Sequence, residues 1–361
     1  MSEPLPVDAL VDITDDRACL RPHGYAPSPT DLPLARGEAH RLRLRRGDRV
    51  TGLYTTDRRL QVATVNDRPP AARTDFYQAT SVHPYERLRL ETDPHRLTTR
   101  VIDLLVPIGK GQRAIIAAPP KAGKTTILHD IAGAITRNHP ECHLMVLLVD
   151  ERPEEVTDMR RTIKGEVVAS PFDRPPHEHI AVAELAVERA KRLAEQGDDV
   201  VLLLDSLTRL ARAYNLAAPA RGRTLSGGLD TGALHPPKRL LGAARALDGA
   251  GSVTIIASAL VETGSAMDTL IFEELKSTGN ADLKLDRVLA ESRVFPAVDV
   301  AASGTRHDEA LLHPGELLPV TQLRRALTSA NPRDTMPGFL NRLRSSTSNT
   351  AFLQTLSRYG Q

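Results

Sequence analysis

Four near-continuous apolar runs punctuate the middle of the chain: RAIIAAPP (113–120), HLMVLLVDE (143–151), DDVVLLLDS (198–206) and GSVTIIASAL (251–260). Each has the length of a strand and lacks polar alternation, the pattern of strands buried on both faces of a parallel sheet. Between the second and third lies EHIAVAELAVERAKRLAEQG (178–197). There Ala183, Ala186, Val187, Ala190, Leu193 and Ala194 recur at helical spacing and Gly197 supplies a stop. Strand, helix and strand in that rhythm predict an α/β fold.

The first seventy residues follow a different pattern. Short β-like runs such as HRLRLRRGDRVTGLY (40–54) and RRLQVATVN (58–66) sit between turn signals and predict a small β-barrel. In the first run Arg41, Arg43 and Arg45 alternate with Leu42 and Leu44. A strand there presents guanidinium on one face and leucine on the other, either as a solvated edge or as a nucleic-acid contact. NDRPPAARTD (66–75) reads as a proline-rich connection. The predicted organisation is a barrel domain over 1–72, a linker over 73–100 and an α/β domain over 101–361.

Composition narrows this picture only slightly. A chain of 361 residues with 41% apolar content accommodates two domains. Its net charge of +2 gives no polycation signal, so any nucleic acid is held by local patches. No apolar run is long enough to span a bilayer, and the acidic start MSEPLPVDALVDITDD lacks the features of a signal peptide, which predicts a cytoplasmic protein without a membrane partner. Cys19 and Cys142 match no metal spacing and read as buried small apolar groups. His177 and His179, in RPPHEHI, read as a surface loop entering a helix rather than a metal site.

The chemistry concentrates in AAPPKAGKTT (117–126). A phosphate-binding loop needs backbone N–H groups converging at a helix N-terminus, a lysine for the β- and γ-phosphates and a hydroxyl for Mg²⁺. An apolar strand enters this stretch and the helical pattern ILHDIAGAI (127–135) leaves it. Gly123 lets the backbone approach phosphate, Lys124 is the point charge and Thr125 the metal ligand. Asp205, ending the run VVLLLD, is the second carboxylate expected around Mg²⁺. Glu151, ending HLMVLLVDE, is the candidate for activating water. Each acid also has the ordinary reading of a helix cap after a strand.

Taken together, PIGKGQRAIIAAPPKAGKTT, VLLVDERPEEVTDMRR, GEVVASPFD, LLLDSLTRLARAYN, LSGGLD, RVFPAVD and SGTR closely resemble the bacterial transcription termination factor Rho family, from about residue 80 to 310 and more loosely beyond. The resemblance implies a RecA-like P-loop ATPase domain preceded by an OB-like RNA-binding domain, here shortened. It implies a homohexamer that draws single-stranded RNA through its centre by ATP hydrolysis and acts transiently on RNA polymerase. ATP contacts are implied for Gly109, Lys110, Gly111, Gln112, Arg113 and Ala114, and for Lys121, Ala122, Gly123, Lys124, Thr125 and Thr126. Arg152, Arg209 and the adenine-packing Phe295 complete that set. Glu151 and Lys124 are implied catalytic groups, as is Arg306, a finger supplied to the neighbour's ATP; Thr125 and Asp205 are implied at Mg²⁺. Two channel loops follow. RGRTLSGGLD (221–230) offers Arg221, Arg223, Ser226, Gly227 and Gly228 to RNA, and ETGSAMD (262–268) offers Gly264 and Ser265.

The chain departs from the family pattern in several places, among them Ser277, in LKSTGN, where the family usually has glycine. Ala266 stands where the second loop usually carries a lysine, and the aromatics on which bases stack are missing near DDRACLRPHGY and RRLQVATV. The alternative to an RNA translocase is therefore a degenerate paralogue that regulates Rho rings or polymerase and hydrolyses ATP weakly. A third reading, a rotary-ATP-synthase-like subunit with the same core, is disfavoured by the SGGLD loop.

Overall fold

The structure is a computed structural model that describes residues 4–55, 57–218 and 224–359. Its N-terminal domain is a five-stranded antiparallel sheet in the order β3-β2-β1-β4-β5. The strands are β1 (Leu5–Ile13), β2 (Ala18–Arg21), β3 (Leu32–Pro33), β4 (Arg49–Tyr54) and β5 (Leu60–Val65), with helix α1 (Arg36–Arg41) between β3 and β4. Val7, Val11, Leu20, Leu34, Leu44, Val50, Leu60 and Val65 form its core, which is aliphatic throughout.

The arginine-rich run is not the predicted strand. Residues 36–41 are helical, Leu44 turns into the core, Arg43 adopts φ 54°, and the strand begins only at Arg49. Asp48 sets the turn by accepting from the Arg45 backbone N–H at 2.7 Å, and Gly47, at φ +88°, lies so close to the Glu188 and Arg189 backbone that a Cβ there would clash. The guanidiniums are spent on carboxylates. Arg46 donates to Asp12 at 2.8 Å and to Glu184 of the α/β domain at 3.1 Å, while Arg45 reaches Glu195 at 2.8 Å. Tyr25 donates its hydroxyl to Glu166, also across the domain boundary.

The 73–100 segment is likewise more than a linker. Phe76 is fully buried in the α/β core beside Val187 and Leu247, and Leu88 and Leu90 are equally buried. Strand β6 (Ser81–Val82) pairs with a strand of the main sheet, and β7 (Arg87–Leu88) pairs with β8 (Ile108–Gly109). Helix α2 (Leu97–Leu105) runs across the expected boundary at residue 100 with eight of its nine residues buried. Covering this much apolar surface, at about 1.5–3 kcal/mol per large side chain, fastens the segment to the domain.

The α/β domain carries β9 (Arg113–Ala118), α3 (Lys124–Asn138), β10 (His143–Glu151), α4 (Pro153–Thr162), β11 (Glu166–Pro171), α5 (Pro176–Ala194), β12 (Asp199–Asp205) and α6 (Leu207–Ala217). There follow the short pair β13 (Thr224–Leu225) and β14 (Leu229–Asp230), then α7 (His235–Leu241), β15 (Arg245–Leu247), β16 (Ser252–Leu260), α8 (Ala266–Lys276), β17 (Ala281–Lys284), α9 (Arg287–Glu291) and β18 (Gly304–Thr305). Helices α10 (Pro314–Thr328), α11 (Pro332–Arg344) and α12 (Asn349–Tyr359) close the chain. The main sheet runs β11-β10-β12-β16-β9-β17-β18, parallel except at β18, with β15 against β16 and β6 against β15. All four runs singled out in the sequence are central strands of it. Both faces are covered by apolar clusters, as a parallel sheet requires. The α5 residues named from periodicity lie within one of those clusters.

Candidate nucleotide-binding site

The carboxyl ends of β9, β10 and β12 meet at one edge of the sheet, where open α/β sheets bind ligands. Ala118 ends β9, and the loop from Pro119 turns through Lys121 at φ 65° and Gly123 at φ 97° before α3 starts at Lys124. Both residues occupy the left-handed region, which wraps the loop around an open cradle. No side chain caps the first turn of α3, so its N–H groups point into that cradle as an anion site. Phe295, itself largely exposed, lies over the loop: a Cβ on Gly123 would stand 3.7 Å from its ring. Ala122 is buried beneath, whereas Lys121 and Thr126 face solvent and Thr125 is half-buried.

The charges converge on Lys124. Its Nζ is bonded to Asp205 and lies 3.6 Å from Glu151 Oε2. Asp205 is fixed from the intervening strand β16 by the Ser258 hydroxyl, which donates to it at 2.9 Å. Glu151 Oε2 is buried with no hydrogen-bond partner among the described residues, so it is left with acceptor capacity aimed at the ammonium and the space above it. Arg209 brackets the site, its Nη1 3.0 Å from Asp150 and its Nη2 3.8 Å from Glu151. Arg152 is exposed at the start of α4. The uncapped helix turn, the orphaned carboxylate oxygen and a lysine held between two acids suit a polyphosphate with its divalent cation. Thr125 and Asp205 carry oxygens of the kind that a hard divalent cation takes.

Gly109, Lys110, Gly111, Gln112, Arg113 and Ala114 are not brought to this site within one chain. They lie at the opposite, amino-terminal end of β9, about 17 Å away at 3.3 Å per residue. There they brace the sheet. Gly111 N–H donates to Thr254 at 2.8 Å, a Cβ on it would strike the Ala246 backbone, Gln112 donates to Asn280 at 2.8 Å, and Lys110 meets Asp199 at 2.8 Å at the start of β12. Arg306 is at that same end, exposed, its N–H bonded to the Asn280 carbonyl next to the Ala281–Ala114 register pair. It cannot reach its own chain's phosphate loop.

The two loops proposed for RNA are packed together. Gly227, at φ 78°, sits where a Cβ would lie 2.7 Å from the Met267 N–H nitrogen, so glycine there permits the contact. Gly228 and Gly264 are also left-handed, at 77° and 78°. Ser265 caps α8 by accepting from Asp268 N–H at 3.3 Å, and Asp268 is clamped by Arg212 through two bonds of 2.8 and 2.6 Å. Ser226 lies in the short turn between β13 and β14, while Arg221 and Arg223 fall outside the described residues. Sequence reading missed Asp150, Ser258, Arg212 and Asp268. Their partners lie 53 to 59 residues away, and no local spacing announces such pairs. His179 is not on the surface: its ring is buried and bonded to the Ser170 hydroxyl at 2.7 Å. Both cysteines are buried as expected.

Comparison with known proteins now bears on this geometry. Residues 98–305 match the ATP synthase alpha/beta family, nucleotide-binding domain. The chain is 56% identical to the transcription termination factor Rho of Mycobacterium tuberculosis strain H37Rv over 369 residues, covering 98% of this chain and 61% of that protein. It is 56% identical to Rho of Streptosporangium roseum, covering 96% of this chain and 91% of the relative. The chain belongs to the Rho family. Rho of Streptomyces coelicolor is similar at 53% identity, with 94% and 83% covered. Against the mycobacterial Rho proteins the chain spans only about three fifths of their length. A prototypical ATPase from the type III secretion system of pathogenic bacteria superposes with a TM-score of 0.64 at 23% identity, covering 83% of this chain and 94% of that one, which shows the shared fold. The Rho-family motif APPKAGKT thus sits on a RecA-like sheet, with Lys124, Asp205 and Glu151 at one edge. No helix among the described residues is long and apolar enough to cross a membrane.

Proposed function

We propose that this protein is an ATP-driven RNA translocase of the cytoplasm that terminates transcription as a homohexameric ring, acting on RNA-bound RNA polymerase. The observation that carries the reading is the split of one catalytic set across the sheet. Lys124, Asp205 and Glu151 are at one end, and Arg306 is exposed at the other, out of their reach. A site completed only by an adjacent subunit links hydrolysis to ring contacts.

In this scheme Lys124 releases Asp205 and binds the β- and γ-phosphates, and the loop N–H groups hold the remaining oxygens. Thr125 and Asp205 would hold Mg²⁺, which when bound would supply positive charge beside the phosphates. Glu151 orients and deprotonates the attacking water. Phe295 packs on the base, and Arg152 and Arg209 frame the pocket. Movement of Lys124 relays to β16 through Ser258, and Leu260 N–H, at the end of that strand, is bonded to Thr208 at 2.9 Å. The second channel loop starts two residues later. Gly227 and Gly228 of the first loop, with Arg221, Arg223 and Ser226, and Gly264 and Ser265 of the second, contact the RNA backbone.

Purified protein assayed for ATP hydrolysis alone, with poly(C) and with mixed RNA tests this. RNA stimulation is expected; a rate indifferent to every RNA removes the translocase reading. The alternative, a regulatory paralogue with a weak ATPase, is not favoured by relatives of 53–56% identity that are Rho factors over nearly the whole chain.

A further inference from the structure

At the far end of α3 from the phosphate loop, the turn His139-Pro140-Glu141-Cys142 gathers an imidazole, a carboxylate and a thiol whose ligand atoms lie within 4.8 Å of one another. The turn is closed by the Cys142 N–H, which donates to the His139 carbonyl at 3.0 Å, so residues only three apart face the same point. We propose that this cluster is a binding site for a thiophilic divalent cation of the Zn²⁺ type, separate from the nucleotide site.

Three observations support it. The first is the orientation of His139. Its Nε2 faces the Arg89 carbonyl at 3.2 Å, an acceptor, so that nitrogen carries the proton. Nδ1 is then the nitrogen that the neutral ring offers to a metal, and it faces Glu141 Oε1 at 3.3 Å. A backbone carbonyl fixing the tautomer in this way is the usual outer support of a zinc-bound histidine. Second, the thiol is within reach: Cys142 Sγ lies 3.8 Å from the same carboxylate oxygen. Ligands around tetrahedral zinc, at about 2.0–2.3 Å from the ion, are about 3.3–3.8 Å apart. Glu141 already stands at those separations from both partners, so the contraction from 4.8 Å falls on the His139–Cys142 pair. Third, the surroundings carry surplus negative charge. Lys110 is the one ammonium bonded here, and it is shared by Glu86, Asp199 at 2.8 Å and Glu141 at 3.5 Å. Three carboxylates against one lysine leave room for two positive charges.

His143 is not part of the set, because its Nε2 is engaged by Glu166 at 2.9 Å, and water takes the fourth position. Binding releases the Cys142 proton to solvent, and no electron transfer is involved. The ion ties His139, the C-cap of α3, to Cys142, the residue before β10. It therefore anchors the helix whose other end holds phosphate.

Co²⁺ titration of the full chain in excess Mg²⁺ tests the proposal. The expected result is one Co²⁺ per chain with a near-ultraviolet thiolate-to-cobalt band, displaced by Zn²⁺. Mg²⁺ occupies the oxygen ligands of the nucleotide site but does not compete for thiolate. Cys142→Ser should abolish the band, and His139→Ala and Glu141→Gln should each weaken binding at least about tenfold. Cys19→Ser, in the core of the other domain, should leave it unchanged. Absence of a band, or a band that survives Cys142→Ser, overturns the assignment. If Cys142→Ser does not fold, Glu141→Gln decides, since its side chain is on the surface; unaltered Co²⁺ affinity there is equally fatal.

Discussion

Replacing Glu151 by glutamine separates binding from chemistry at the candidate site. The wild-type carboxylate lies 3.6 Å from Lys124 Nζ and competes with incoming phosphate for that ammonium. Opposite unit charges about 4 Å apart attract by ~4 kcal/mol at an effective dielectric of 20, an upper bound here because Asp205 shares the lysine. Glutamine is nearly isosteric and removes the charge, so Lys124 is freer to turn to the nucleotide. ATP affinity should hold or rise. Hydrolysis should fall by about 10²–10⁴, the usual contribution of a positioned base. Single-turnover hydrolysis of radiolabelled ATP, paired with calorimetric titration of ATP, measures both. A variant that hydrolyses within about threefold of wild type, against that expected span, shows that Glu151 is not the base. Binding weakened more than tenfold would instead mean that the carboxylate holds nucleotide or metal.

Three further outcomes can be checked. Gly227→Ala places a Cβ 2.7 Å from Met267 nitrogen at φ 78°, at a cost of about 1–3 kcal/mol; RNA stimulation should disappear while RNA-free hydrolysis persists, and retention of stimulation would uncouple this contact from RNA. Ala266→Lys puts a cation on an exposed helix start beside that contact, so RNA affinity measured by fluorescence anisotropy should rise, with a log–log salt slope steeper by about 0.7 per added phosphate contact; an unchanged slope means the position does not meet RNA. Burial holds the His179 imidazole below its ordinary value of 6.5, so the stability it contributes is complete above that value and is lost as the pH falls through the folded-state pKa. Between about pH 8 and pH 5, wild type should therefore lose more thermal stability than His179→Gln, and parallel melting curves would count against the buried neutral ring.

What the sequence disclosed, and what it hid, follows from the range of the interactions. Strands β9, β10, β12 and β16 and helix α5 were legible because burial on a parallel sheet imprints a local apolar pattern. The phosphate loop was legible because its chemistry is contiguous. The arginine alternation misled, since it matches a strand period only until Leu44 is claimed by the core of the N-terminal sheet and Asp48 closes a turn. Phe76 was hidden among prolines and polar residues, although its surroundings are supplied by residues more than a hundred positions later. Gly109–Ala114, given as ATP contacts by the resemblance, stand a few residues before the phosphate loop in sequence but a whole strand's length from it within one chain. The His139–Cys142 turn went unnoticed because its ligands are too close in sequence for a zinc-finger spacing, and only the turn makes them converge.

The placement of Lys124 and Arg306 at opposite ends of one sheet has a genetic consequence. In the proposed ring each junction would draw its loop from one chain and Arg306 from the next, so defects in the two would not be equivalent and need not add. A chain bearing Lys124→Ala and a chain bearing Arg306→Ala, each inactive alone, should restore some working junctions when assembled together. With random mixing in equal amounts, about one junction in four joins an intact loop to an intact finger, as head-to-tail interfaces allow. A double mutant carrying both changes in the same chain should rescue neither partner to that extent. Two broken alleles would thus complement by assembly, and their complementation pattern would report which subunit faces which.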